Sequence, residues 1–69
     1  MDGTICINGE DRQLAATTVI ELLREEGVDP GRRGVAVAVN GRVVRRSDWP
    51  TTPLSAGDAV EIVKPFAGG

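Results

Sequence analysis

The sequence predicts an α+β fold in which a mixed five-stranded sheet carries one main helix on one face. Three observations predict it. Two Asn-Gly pairs, at 8–9 and 40–41, each separate two strand-like runs. A single amphipathic stretch with start and stop signals lies between these two hairpins. A closing apolar run follows a connection of twelve residues, Ser47 to Asp58, which is too long for a tight hairpin.

Each element has a local cause. Thr4-Ile5-Cys6-Ile7-Asn8 alternates, with Ile5 and Ile7 on one face and Cys6 on the other, which is the period of a half-buried strand. Asn8 and Gly9 both tolerate positive φ, as a type I′ turn requires. The return run, Glu10 to Leu14, is heavily charged and suits an edge strand that must not pair with other chains. Thr18-Val19-Ile20-Glu21 reads as a capping box, in which the Thr18 hydroxyl takes the Glu21 amide and the Glu21 side chain reaches back. Val19, Leu22 and Leu23 then share one helical face, Glu21, Arg24 and Glu25 look to solvent, and Gly27 ends the helix in the left-handed region. So short a helix depends on docking against a sheet.

Val35-Ala36-Val37-Ala38-Val39 is apolar on both faces, as expected of a strand well inside the sheet. Asn40-Gly41 turns it into Arg42-Val43-Val44-Arg45-Arg46, whose arginines mark the other edge. In the long connection, Ser47-Asp48-Trp49 can make one helical turn, while Pro50 and Pro53 interrupt regular structure. Trp49, the lone tryptophan, reads as a lid over one end of the core rather than a ligand platform. Gly57-Asp58 turns the chain into the last strand, Ala59 to Val63. A central place for this strand, between the first and third, gives it two neighbours and leaves both charged return strands at the edges. The arrangement is the ubiquitin-like β-grasp, with residues 1–64 as the domain and 65–69 as a flexible tail ending in Gly68-Gly69. Pro65 has a fixed φ and no amide hydrogen, so it ends the pairing and points the tail outward. Extended, Pro65 to Gly69 spans about 17 Å. Glycine admits close backbone approach, so this end reads as a carboxylate to be threaded into another protein's active site.

Composition narrows the function. Sixty-nine residues make one small domain whose thin core leaves no room for a large private pocket. The net charge of −2 argues against nucleic acid as a partner, and no apolar run is long enough to enter a membrane. One cysteine, Cys6, forms no internal disulfide and fits a reducing cytoplasm. With no histidine and no tyrosine, the chain lacks the usual bases, nucleophile partners and zinc ligands, so no catalytic residue, metal site or stably bound cofactor is expected and the chain is not read as an enzyme.

The run Val37 to Trp49, with Asn40-Gly41-Arg42-Val43-Val44-Arg45-Arg46 at its centre, then Thr52-Pro53-Leu54, Gly57-Asp58-Ala59-Val60-Glu61-Ile62-Val63 and the final Ala67-Gly68-Gly69, resembles the ThiS family, the sulfur carriers of thiamin (thiazole) biosynthesis. The resemblance covers nearly the whole chain; Pro65 and Phe66 stand where many such chains have small or aliphatic residues. It implies that Gly69 is the group modified. An E1-like, ThiF-type enzyme would use ATP and Mg to adenylate its carboxylate. A persulfide supplied indirectly by a cysteine desulfurase would convert it to a thiocarboxylate, and a ThiG-type thiazole synthase would accept the sulfur. Gly68, Ala67 and Phe66 would line the partner's active site with the tail, Phe66 packing on a partner or back on its own sheet. Other readings that keep Gly69 chemistry are a carrier for a molybdopterin-synthase-like or cysteine-type pathway and a ubiquitin-like modifier. A plain interaction domain with a passive tail is the reading without it.

Overall fold

A computed structural model of the chain describes residues 3–65. The elements follow in the order β1 (Thr4–Ile7), β2 (Glu10–Gln13), α1 (Val19–Glu25), β3 (Ala36–Val39), β4 (Arg42–Val44), a 3-10 turn (Arg46–Asp48) and β5 (Ala59–Val63). The sheet has five strands in the order β2-β1-β5-β3-β4. β5 is central, parallel to β1 and antiparallel to β3, and the two return strands are the edges. This is the β-grasp arrangement that the connection length and the charged edges require.

Both hairpins close as their residue types dictate. Asn8 and Gly9 have φ of 52° and 85°, and Asn40 and Gly41 have 52° and 82°. These values lie in the region that glycine adopts freely and asparagine tolerates. All four residues of β2 are exposed, as suits a charged edge.

The helix begins and ends on explicit hydrogen bonds. The Thr18 hydroxyl accepts from the Glu21 amide at 3.4 Å. The Glu21 carboxylate does reach back, but one residue further than a capping box requires: it accepts from the amide and hydroxyl of Thr17, at 3.0 and 2.9 Å. The amides of Val19 and Ile20 donate to the carbonyls of Thr52 and Trp49, so the long connection satisfies donors that a helix start leaves free. At the other end Val28 donates to Leu23 and Gly27 to Arg24, with Gly27 at φ +76°, which is a Schellman closure.

The core lies between α1 and one face of the sheet. Val19, Leu22 and Leu23 from the helix meet Ile5, Ile7, Val35, Val37, Val60 and Ile62, with Ala16, Val28, Trp49 and Leu54 closing the ends. β3 lies inside the sheet, between β5 and β4, but only one of its apolar faces is covered: Val35 and Val37 are buried, whereas Ala36 is exposed, because α1 covers only one side of the sheet. Trp49 packs over one end of the core as expected, and more deeply than a surface lid: it is only 2% exposed, with its indole Nε1–H donating to the Val44 carbonyl at 3.0 Å. No helix among the described residues is long and apolar enough to cross a membrane.

Candidate functional site

The residues singled out for chemistry, Phe66, Ala67, Gly68 and Gly69, lie outside the described residues. The structure describes the root from which they continue, namely the end of β5 with Lys64 and Pro65, and how the fold holds it.

β5 is held from both sides along its length. On one side the Cys6 and Asn8 amides donate to the carbonyls of Asp58 and Val60. Where the β1 backbone turns away, the Asn8 side chain continues the ladder: its Oδ1 accepts from the Ile62 amide at 2.8 Å and its Nδ2 donates to the Ile62 carbonyl at 3.2 Å. Asn40 repeats the device at the other end of the strand. Its Oδ1 accepts from the Ala59 amide at 2.9 Å, its Nδ2 donates to Asp58 Oδ1 at 3.0 Å, and its own amide donates to the Ala59 carbonyl. Sequence reasoning treats both asparagines as turn formers and misses this second role. The available signal is that the residue is asparagine at both turns, since among the residues that favour such a turn, Asn, Asp and Gly, only asparagine has a side chain that offers a donor and an acceptor together.

Beyond β5 the chain lies against the loop between α1 and β3. Gly34 has φ +89°, and a Cβ placed there would come within 3.1 Å of the Pro65 Cβ, so a residue without a side chain lets Pro65 approach. The loop is tied down by Arg46, whose guanidinium donates to the carbonyls of Pro30 and Arg32 and stacks 4.7 Å from the centre of the Trp49 ring. Arg46 thereby links the loop to the 3-10 turn, and Gly34 seats the tail root on the same loop.

The sheet face opposite α1 carries the two large exposed apolar residues, Val43 at 79% and Val63 at 58%. They flank Ala36 and Ala38 of β3, since Ala38 pairs with Val43 and Ala36 with Val63. Val63 immediately precedes the tail root, so the apolar surface and the departing chain are neighbours. Cys6 is half-buried on this side of β1 and makes no disulfide. Among the described residues no polar or charged side chain is buried, and no cluster of metal-ligating side chains occurs. What the described arrangement does is mechanical: it presents a rigid central strand, an apolar face beside its end, and a seated proline from which the chain continues.

Comparison with known proteins places the chain among small carriers. The model of the ThiS family matches residues 5–69. The sulfur carrier protein ThiS of Thermus thermophilus is 40% identical over 65 residues, covering 94% of this chain and 98% of that protein. The sulfur carrier protein ThiS of Escherichia coli is 36% identical over 66 residues, covering 94% and 97%. A thiazole synthase of Paramagnetospirillum magneticum is 41% identical over 66 residues, although the chain spans only 20% of that protein's length. Among solved structures, the thiamine biosynthesis protein (ThiS) of Geobacter metallireducens superimposes with a TM-score of 0.77 at 30% identity, covering 96% of this chain and 99% of that one.

Proposed function

The chain belongs to the ThiS family, and from that premise we propose that this sulfur carrier protein carries its sulfur on the carboxyl group of Gly69 and delivers it to thiazole formation in thiamin biosynthesis. The observation that carries the reading is that the family match runs through Gly69 itself. A free α-carboxyl group has a pKa of about 3.3–3.7, so Gly69 enters the reaction as an anion. That anion attacks the α-phosphorus of ATP held with Mg by an E1-like enzyme; pyrophosphate leaves and an acyl-adenylate forms. The terminal sulfur of a persulfide, supplied through a cysteine desulfurase, then bonds to the Gly69 carbonyl carbon as AMP departs. A second thiol cleaves the sulfur–sulfur bond, becoming part of a disulfide, and the thiocarboxylate remains on Gly69.

In this reading the chain's own contribution is presentation rather than catalysis. Two final glycines leave the carbonyl open to approach, and Ala67 and Phe66 complete the segment that enters the partner. The doubly held β5 gives that segment a fixed point of departure. The chain binds no cofactor stably, since ATP and Mg belong to the activating enzyme, and it works in the cytoplasm. Thiazole synthase as the acceptor is supported by the Paramagnetospirillum relative, in which a stretch 41% identical to this chain is part of a thiazole synthase.

The test is the intact mass of the chain, with an untagged C-terminus, after incubation with its E1-like enzyme, Mg-ATP and a persulfide source. The expected product gains the mass of sulfur replacing oxygen, mapped to Gly69. Gly69→Ala and deletion of Gly69 are expected to abolish the gain while leaving the thermal unfolding curve in place. A wild-type chain that stays unmodified would move the reading to a modifier or a passive domain.

A further inference from the structure

The loop between α1 and β3 and the end of β5 enclose a cleft of about 230 Å³. The buried Val28 and Val35 and the half-buried Pro65 line it, and the exposed Asp29, Arg32 and Lys64 stand at its mouth. We infer that this cleft is a docking site on the carrier for an apolar side chain flanked by a carboxylate on the adenylating enzyme. The inference rests on the sulfur-carrier reading above and adds to it a surface distinct from the open face of the sheet.

The cleft is built before any partner arrives. Gly27 and the Schellman closure turn the chain out of α1. Asp29 Oδ1 accepts from the Gly31 amide at 2.9 Å, Arg46 holds the carbonyls of Pro30 and Arg32, and Gly34 lets Pro65 close the wall. Each of these contacts is internal to the carrier, so the backbone of the cleft is preorganised and only the exposed side chains at its mouth remain to be ordered on binding. Its size also selects the ligand. Small-molecule sites generally have about 300–1,000 Å³, and this cleft is smaller and open, a fit for one side chain rather than a nucleotide.

Charge gives the sign of the partner. The Arg32 and Lys64 side chains form no ion pair among the described residues, where the two ion pairs both belong to Arg12. Asp29 shares the mouth, but its carboxylate is already engaged by Gly31. The mouth therefore presents two cations against one anion, on a chain whose net charge is −2. An apolar group for Val28, Val35 and Pro65, with an acidic group beside it for Arg32 and Lys64, is the complement.

Reach narrows the partner to an enzyme that takes up the Gly69 carboxyl group, and the adenylating enzyme is the first to do so. Pro65 lines the cleft, and Gly69 follows four residues later, at most about 14 Å away when extended. An enzyme that encloses the Gly69 carboxyl group must therefore bring its surface over or beside the cleft.

The experiment is calorimetric titration of the full chain and its Arg32→Glu, Lys64→Glu and doubly reversed variants against the adenylating enzyme, at low and high salt. Arg42→Glu is the charge-matched control, since Arg42 pairs with Val39 at the opposite end of β3 from Val35, and wild-type charging is followed by mass in parallel. The expected result is a tenfold or greater rise in Kd for the double reversal at low salt, a smaller gap at high salt, an unchanged Tm, and little effect of Arg42→Glu. Unchanged Kd in a system where the wild type is charged would overturn the docking site and leave the carrier function standing. An equal loss with Arg42→Glu would also overturn it, by reducing the effect to overall charge. NMR shifts of the Val28 and Val35 amides on removing residues 66–69 from the free chain would overturn it too, by assigning the cleft to the chain's own end. A wild type that is never charged sinks the carrier reading and the docking site with it.

Discussion

Asn8 has two tasks in one residue. Its backbone takes φ 52° in the turn, and its carboxamide pairs both polar groups of Ile62, 54 positions away. Aspartate tolerates the same backbone and keeps the acceptor for the Ile62 amide, but it sets a carboxylate against the Ile62 carbonyl where a donor was. Asn8→Asp is therefore expected to lower stability by about 1–3 kcal/mol at neutral pH, the range for a part-buried acceptor left unpaired. Urea unfolding followed by circular dichroism would measure it, and an unchanged midpoint would mean that solvent already satisfies Ile62. Trp49 makes the complementary point. An aromatic residue in a proline-flanked connection is legible as a packing residue, but its depth is not. Its near-complete burial depends on Val44 offering a carbonyl to the indole and on Arg46 covering the ring.

Among the elements, α1 illustrates a helix made by its ends. Its interior is only seven residues, too short to persist on propensity, and it is retained by its buried face and by partners for its terminal groups. The Glu21 carboxyl is held below its ordinary pKa, first by the Thr17 amide, then by the Thr17 hydroxyl, with Arg24 adding attraction. A carboxyl depressed in the folded state contributes stability that is fully present above its unfolded pKa and is lost as pH falls through the folded one. The stability difference between the wild type and Glu21→Gln is therefore expected to shrink as pH drops through the carboxylate range, read as Tm against pH. A constant difference would show that the Thr17 bonds do not depend on the charge. The capping pattern was legible from Thr18 and Glu21, because it involves residues three apart. The shift of the Glu21 contact to Thr17 was not, because Thr17 is held by the Leu54 amide and Thr18 is bridged to Pro53, contacts that exist only once the long connection has folded over the helix start.

At the scale of the whole molecule, stability is thin. A chain of this length has on the order of 3–10 kcal/mol, at 0.05–0.15 kcal/mol per residue. Leu23 is fully buried between α1 and the sheet, and Leu→Ala changes in such places cost about 2–5 kcal/mol. Leu23→Ala is expected to move the urea midpoint by a large fraction of its wild-type value and to bring the chain near unfolding at room temperature; a shift of only a few per cent would mean that the helix repacks into the space. The distribution of polar groups serves the same economy. Among the described residues the interior is wholly apolar, and the charges lie on edges, loops and the outer helix face.

Residue order alone determined the two turns, the helix start and stop, the strand count, and the central place of the last strand, which follows from a twelve-residue connection and two charged edges. It also determined the family, through the run from Val37 to Trp49 and the match that extends to Gly69. These features are local in the chain, or follow from which residues can face water. The tertiary structure alone decided that β3 is covered on one face, that Trp49 is interior, that two turn asparagines clamp β5, and that a charged-rim cleft forms where Pro65 meets Gly34. Each of these joins groups far apart in sequence. Pairing of that kind depends on how the helix, the long connection and the sheet pack together in space, and no local pattern of residue types encodes it.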